Sequence, residues 1–396
     1  MFVYLDNSST TKQSSDVTEI MSRTAEETFG NPSSLHRLGV EAEKVLKKAR
    51  KDMASVIGAS PDEIFFTSGG TESDNTAIFG AAEALRREGT RIITQETEHP
   101  AVLECTDELK RRGFDVVRVP VGRDGIIDMN AFKNALNDDT ILVSVMHVNN
   151  ETGAVQPVRE IGALVKDQGK SIFHCDAVQS FGKLPIDVRT MNVDLISVSG
   201  HKIHGPRGTG FLYVKRGVNV RPLIRGGGQE RGFRSGTENL PGIAGLAHAA
   251  LSAERSRDEN FSHVKKLSER LIEGIRENVP DVQINGPECD GNPGTEKWLP
   301  YIVNVSLKDT RGEVMLHMLE QKGIYVSTGS ACSSHKKGFS HVLEAMGTDA
   351  VMSEGALRFS LSYDNTEEEM DYTVEVLAEA AAGHRKMMAL ARRMGR

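Results

Sequence analysis

The feature that most constrains this chain is an alternation, over roughly its first 250 residues, of short apolar runs with stretches of helical spacing. Ile64-Phe65-Phe66-Thr67 and residues 91–94, 116–119, 141–145, 172–175 and 195–198 are of strand length, and helical segments separate most of them. Apolar runs of this kind need helices packed over both faces of their sheet, so the pattern predicts an α/β protein with a largely parallel sheet. Residues 41–57 set Ala42, Val45, Leu46, Ala49, Met53 and Val56 on one helical face, with Gly58 as the stop. A second helix is expected over 73–87, ended by Gly89.

The pattern changes in the last third. A long polar helical region over 244–279 leads into strands at 282–284, 301–307, 325–326 and 357–361, mixed with helices at 312–322 and 367–394. The expected division is therefore a large α/β domain over 15–255 and a smaller α+β domain over 256–396, with residues 1–14 packing on the smaller one. Residues 286–300, rich in Pro and Gly, read as a surface loop. No repeat or low-complexity tract interrupts the pattern.

Composition removes several classes of function. The chain has 396 residues, and its 48 Lys and Arg stand against 55 Asp and Glu, a net charge of −7 that offers no basic footprint for nucleic acid. No apolar stretch approaches the roughly 20 residues that a membrane helix needs, and Met1-Phe2-Val3-Tyr4-Leu5-Asp6 lacks the start of a secretory signal. Cys105, Cys175, Cys289 and Cys332 are widely spaced with no C-x-x-C pair, which suits a reducing cytoplasm rather than a disulfide framework or a zinc knuckle. His99, His147, His174, His201 and His204 show no metal-ligand spacing, so no metal is expected.

Three strand ends carry chemistry. Thr67-Ser68-Gly69-Gly70-Thr71-Glu72 follows a strand and opens a helix, where backbone N–H groups and the helix dipole favour an anion such as a phosphate. It lacks the Lys-Ser/Thr of an ATP-binding loop and the G-x-G-x-x-G of a dinucleotide site; taken alone it reads first as a glycine turn with Thr71 as cap, and a phosphate site needs partners elsewhere. His174-Cys175-Asp176-Ala177-Val178-Gln179 sets an acid at a strand tip, either a helix cap or a partner for a protonated ring nitrogen. Ser199-Gly200-His201-Lys202 sets a lysine among small residues just past an apolar strand, either on the surface or desolvated and held near neutrality as Schiff-base chemistry requires. A phosphate loop, an acid and a desolvated lysine, in this order along one sheet, are the protein's share of a pyridoxal 5′-phosphate site.

These residues resemble the pyridoxal-phosphate cysteine desulfurases of the NifS and IscS type, fold type I enzymes of the class V aminotransferase family. The resemblance spans nearly the whole chain. Beyond the three strand ends it is carried by Tyr4-Leu5-Asp6-Asn7-Ser8-Ser9-Thr10-Thr11, Gly30-Asn31-Pro32-Ser33-Ser34, Glu98-His99 and Asn149-Asn150-Glu151-Thr152-Gly153. It continues through Gly226-Gly227-Gly228-Gln229-Glu230, Arg234-Ser235-Gly236-Thr237, Gly329-Ser330-Ala331-Cys332-Ser333-Ser334 and Leu357-Arg358-Phe359-Ser360.

By position, the resemblance implies that Lys202 is the Schiff-base lysine, Asp176 the partner of the pyridine nitrogen and Gln179 a donor to the ring oxygen. His99 would stack on the ring and move protons. Gly70, Thr71, Ser199 and His201 would hold the phosphate, and Thr237 would reach the phosphate of a neighbouring subunit, which implies a homodimer. Asn150 would serve both cofactor and substrate, joined at the substrate carboxylate by Arg358 and Asn31. His204, Arg207 and Thr209 depart from the commonest residues of such relatives.

Cys105, Cys175 and Cys289 read as small core residues. Cys332 lies instead among Gly329, Ser330, Ser333, Ser334 and Gly338, with His335, Lys336 and Lys337 near enough in sequence to favour a thiolate. The resemblance implies that L-cysteine becomes L-alanine, that Cys332 keeps the sulfur as a persulfide on a mobile loop, and that an acceptor or scaffold protein of iron–sulfur or other thio-cofactor assembly receives it. A selenocysteine lyase and a non-catalytic scaffold are the alternatives.

Overall fold

The computed structural model describes residues 1–287, 297–328 and 340–394, with side chains of the last helix described as far as residue 388. The first half builds β1 (Val3–Tyr4), α1 (Ser15–Glu27), α2 (Arg37–Val56), β2 (Ile64–Thr67), α3 (Gly70–Leu85), β3 (Arg91–Gln95) and α4 (Pro100–Arg111). It continues with β4 (Asp115–Val119), α5 (Met129–Ala135), β5 (Thr140–Ser144), α6 (Val158–Gln168), β6 (Ile172–Asp176), β7 (Leu195–Ser199) and β8 (Gly210–Val214). The second half adds α7 (Leu240–Asn278), β9 (Val282–Asn285), β10 (Ile302–Leu307), α8 (Gly312–Glu320), β11 (Ile324–Tyr325), α9 (His341–Ala345), α10 (Ala350–Glu354), β12 (Ala356–Ser360) and α11 (Glu367–Met394).

The large sheet has seven strands in the order β2-β8-β7-β6-β5-β3-β4. β3 to β7 run parallel, while β8 lies antiparallel between β2 and β7. This is the α/β architecture expected from the alternation. The expected strands did not include β8, because the short turn that leads into it from β7 carries no long helix to mark a crossover. Its start is sterically defined: a Cβ at Gly210 would lie 2.4 Å from the Val198 carbonyl oxygen and 2.7 Å from Gly69 Cα. Only glycine lets β8 bring the loop after β2 against the end of β7.

Three helices begin earlier than their spacing suggests, among them α7, which starts at Leu240 rather than at 244. His36 caps α2 by accepting from the Gly39 N–H, so that helix starts at Arg37. α3 starts at Gly70 because Gly69 turns the chain with φ of +150°, and the small residues Gly70, Ser73, Ala77, Gly80 and Ala81 are buried around much of its circumference. A helix packed on several sides shows a weak apolar stripe, which hides its true start from a periodicity argument.

Apolar cores form on both faces of the large sheet. A buried ion pair locks one edge: Arg50 Nη2 lies 2.6 Å from Glu230 Oε1 and Nη1 2.7 Å from Oε2, while Oε2 also accepts from the Phe66 N–H. The Glu230 side chain is 2% exposed. Replacing Arg50 with Met leaves that carboxylate buried without its counter-charge, so unfolding free energy should drop by about 3–5 kcal/mol. Chemical denaturation of the two proteins side by side measures this.

A third core lies among β9, β10, β12, α8, α11 and the second half of α7. β10 pairs antiparallel with both β9 and β12. The N-terminal segment joins this smaller sheet to the larger one. β1 pairs with β11, the Ser360 N–H donates to the Leu5 carbonyl, and the Thr11 N–H donates to the carbonyl of His201 beyond β7. Among the described residues no helix is long and apolar enough to cross a membrane.

Candidate active site

The carboxyl ends of β2, β6 and β7 lie at one edge of the large sheet, because β2 and β7 both run antiparallel to the β8 between them. Thr67 and Ser199 face the same residue, Gly210, from opposite sides. The glycine loop after β2 is thereby set beside Ser199. It also closes on the acid motif, since a Cβ at Gly70 would sit 2.7 Å from Val178 Cγ2. No side chain caps the first turn of α3 at Gly69, so the turn presents backbone N–H groups at this edge. Thr71 is exposed in that turn, and Ser199 is buried beside it.

Asp176 ends β6 and is nearly enclosed. Its Oδ1 accepts from the Val178 N–H at 2.9 Å, so it does cap its own turn while remaining an acid at the strand tip. Burial pushes its carboxyl up to about 6, partly offset by the Val178 N–H and the charge of Lys202. Gln179 donates from Nε2 to the Ser8 carbonyl at 3.0 Å, while its Oε1 is buried with no hydrogen-bond partner. An amide nitrogen carries two hydrogens, so one donor of Gln179 remains for a ligand.

Lys202 closes the single helical turn that follows β7. Its Nζ donates to the carbonyls of Ser8 at 2.5 Å and Ser9 at 2.8 Å. His201 Nδ1 meets Thr10 Oγ1 at 3.2 Å, and burial followed by the nearby charges of Lys202, Arg207 and Lys183 pushes its imidazole down to about 4. His201 is therefore neutral at pH 7 and offers a hydrogen bond rather than a charge. His99 caps α4 by accepting from the Ala101 N–H at Nδ1, 3.1 Å away, which leaves Nε2 as the nitrogen for proton exchange. Burial, Lys202 and His341 push it down to about 4, so it too is neutral at pH 7.

Arg358, in β12 of the smaller sheet, is brought to Asn150 across the whole fold. Its Nη1 donates to the Asn150 carbonyl at 3.0 Å, and its Nη2 donates to Asp6 Oδ1 at 2.9 Å and Ser9 Oγ at 2.6 Å. Several expected residues, Asn31, Thr71, His99 and Thr237 among them, are not joined to this group by any hydrogen bond found among the described residues: Asn31 is exposed, accepting from the Ser33 N–H, and Thr237 is exposed near the start of α7. Cys332 lies outside the described residues, as does Cys289; Cys105 and Cys175 are buried.

Some neighbours were missed from sequence. Lys183 is buried with Nζ 5.4 Å from the centre of the Tyr301 ring, and burial followed by the charge of Lys202 pushes its amine down to about 7. It lines a cavity of about 1080 Å³ shared with Lys202, His204, Arg207 and Tyr363. The Gly182-Lys183 pair after the acid motif was the available signal, but lysine is ordinarily a surface residue. Asp74 and Glu98 are likewise buried, and burial pushes both carboxyls well up, with the charge of Asp176 adding to the effect. No group of three or more His, Cys, Asp or Glu side chains among the described residues could hold a metal ion.

The residues present suit pyridoxal phosphate on physical grounds. One edge offers an amine, a carboxylate positioned to face a protonated ring nitrogen, a helix start with uncapped N–H groups, a buried hydroxyl and a glutamine with an unsatisfied polar atom. The donor set is neutral or cationic where a phosphate would sit and anionic where a pyridinium would sit.

Comparison with known proteins agrees. The family model described as Aminotransferase class-V matches residues 3–373. The chain is 45% identical to the cysteine desulfurase IscS of Methanosarcina thermophila, over 98% of this chain and 94% of that one. It is 44% identical to the cysteine desulfurase IscS of Clostridium botulinum strain Hall, over 98% of this chain and 96% of the relative. A solved NifS-like protein superposes with a TM-score of 0.89 at 41% identity, covering 96% of this chain and all of the other. A structure titled "SspA in complex with cysteine" superposes with a TM-score of 0.79 at 34% identity, covering 92% of this chain and all of the other. With its fold, its strand-end residues and its full-length relatives in agreement, the chain belongs to the class V aminotransferase family and, within it, to the cysteine desulfurases of the NifS and IscS type.

Proposed function

We propose that this chain holds pyridoxal 5′-phosphate at the carboxyl edge of its large sheet and uses it to take sulfur from L-cysteine. The observation that carries the reading is the convergence of Lys202, Asp176 and the start of α3 at that edge. Gly70, Thr71, Ser199 and His201 hold the phosphate, with Thr237 supplied by the second subunit of a homodimer. Asp176 would pair with a protonated ring nitrogen, Gln179 would donate to the ring oxygen and His99 would exchange protons beside the ring. Bound there, the cofactor supplies an electron sink for charge developing on the substrate carbon.

The chain's own residues do the rest. Arg358 and Asn150, with Asn31, hold the substrate carboxylate, Arg358 through a charge-assisted hydrogen bond. The amine of Lys202 takes the Cα proton and returns it. The Cys332 thiolate attacks the substrate sulfur: an S–S bond forms, the Cβ–S bond breaks, and its electron pair stays with the carbon skeleton. His99 exchanges the proton this requires through Nε2. L-alanine leaves, and Cys332 keeps the sulfur as a persulfide for an acceptor or scaffold protein of iron–sulfur or other thio-cofactor assembly. The cofactor chemistry sits in the larger unit, residues 15–255, and the substrate arginine in the smaller, 256–396, with residues 1–14 running along it. A cytoplasmic setting keeps the thiols reduced.

The test measures alanine and sulfide formed from L-cysteine in the presence of a reductant. Wild type should produce both; Cys332→Ala should lose both by at least about a thousandfold while retaining the colour of bound cofactor. Alanine formation by Cys332→Ala at the wild-type rate would remove the thiol from the mechanism.

A further inference from the structure

Residues 6–9 touch both cations of the site. Ser9 is the shared point: its carbonyl accepts from Lys202 Nζ at 2.8 Å, and its hydroxyl accepts from Arg358 Nη2 at 2.6 Å. The same hydroxyl donates to Asp6 Oδ1 at 2.7 Å, and Asp6 Oδ1 accepts from Arg358 Nη2 at 2.9 Å. Asp6, Ser9 and Arg358 thus form a closed triangle of charge-assisted hydrogen bonds. The segment is held from both sides: Asn7 N–H donates to the Ser360 carbonyl and Ser8 N–H to Ser360 Oγ, while Thr11 N–H donates to the His201 carbonyl.

The guanidinium is almost wholly enclosed, with its side chain 3% exposed. Nη1 is spent on the Asn150 carbonyl and Nη2 on Asp6 and Ser9. Nε is buried and has no hydrogen-bond partner. An enclosed charged donor without an acceptor is costly unless a ligand completes it. Arg358 is thus fixed along one edge and left with an unspent donor on another. Asp6, 23% exposed, is its carboxylate partner within the fold.

We propose that Asp6, acting with Ser9, is a positioning residue that holds Arg358 so that its free donor receives the substrate carboxylate. Through the Ser9 carbonyl the same segment sets how far that carboxylate lies from the Lys202 amine. The inference deepens the proposed function and rests on its assignment of the substrate carboxylate to Arg358. An opposite expectation exists on electrostatic grounds alone, since Asp6 is an anion beside the arginine that must bind another anion. The triangle argues against it: one carboxylate oxygen orients the guanidinium through Nη2, while the vacant donor is Nε.

The test compares two ligands of the cofactor-loaded enzyme by the absorbance change of the bound cofactor: L-alanine, and ethylamine, which is the same amine without the carboxylate. Asp6→Asn keeps the side chain's size and an acceptor oxygen but loses the charge. It should weaken L-alanine binding by at least about tenfold and leave ethylamine within about twofold. Ser9→Ala, which keeps the carbonyl to Lys202, should move L-alanine in the same direction by a smaller factor. With L-cysteine, the loss should appear in KM more than in kcat. If Asp6→Asn fails to fold, Ser9→Ala is judged by the same two ligands. Unchanged or tighter L-alanine binding overturns the inference, and so does equal weakening of both ligands, which marks a merely structural role. Arg358→Leu separates the two levels. If it removes the enzyme's preference for L-alanine over ethylamine while Asp6→Asn and Ser9→Ala do not, only this inference fails; if it leaves that preference intact, the carboxylate assignment fails and takes this inference with it.

Discussion

Lys202→Ala is expected to lower alanine formation from L-cysteine by at least about ten-thousandfold, because the proposed function gives one side chain both the attachment of the cofactor and the transfer of the Cα proton. The fold should tolerate the change. Lys202 is only partly buried, and its Nζ bonds to two backbone carbonyls that water can satisfy once the amine is gone, so the stability loss should stay near 1 kcal/mol. The Asp176 carboxylate, the glycine loop and Ser199 remain in place, so the variant should still bind the cofactor without attaching to it. Turnover, thermal unfolding and the absorbance of the bound cofactor read these three outcomes separately. Activity above about one hundredth of wild type would show that another amine does the work, and Lys183, whose buried amine is pushed down to about 7, would be the first residue to change next.

Asp176→Asn is expected to lower kcat/KM by about a hundredfold to a thousandfold, the range seen when a preorganised electrostatic group is removed. The asparagine keeps the shape and the Val178 N–H contact but loses the charge that would hold a pyridine nitrogen protonated. The charge state follows from the surroundings. Burial raises the Asp176 carboxyl to about 6, whereas burial and the charge of Asp176 push Asp74 well up. Two buried carboxyls that repel one another do not ionise together, so the pair keeps its proton on Asp74 and leaves Asp176 charged. An acid with a raised pKa is ionised above that value and neutral below it. Cofactor uptake by the apo chain should therefore weaken as pH falls through about 6, and Asp176→Asn should remove that dependence. A dependence retained by the variant would assign the titration to another group.

Much of the site was legible because its reagents sit where strands end. The glycine loop, Asp176 and Lys202 each follow a strand that the apolar pattern marks; parallel pairing sets the ends of β6 and β7 at one edge, whereas the glycine loop reaches that edge only through β8, antiparallel to both β2 and β7. The family motifs implied that Arg358 and Asn150 act together, and the structure brings the two residues into contact through the Nη1 bond to the Asn150 carbonyl. β8 escaped because nothing in its neighbourhood shows helical spacing. The early start of α3 escaped because burial on several sides weakens its stripe. Asp6 and Ser9 stood inside a recognised motif, yet no local pattern says that a serine near the N-terminus takes Lys202 on its carbonyl and Arg358 on its hydroxyl.

The sequence by itself determined the α/β class, the strand ends and the types of chemical group at them, since periodicity, glycine placement and side-chain type are local properties of the chain. Only the tertiary structure decided which groups meet. Ser9 is separated by most of the chain from Arg358, and the pair forms because residues 1–11 run from β12 in the smaller sheet to the turn after β7 in the larger one. Contacts of that range depend on how two sheets are set against one segment, and the energy that sets them is spread over the apolar cores rather than written in the residues that touch.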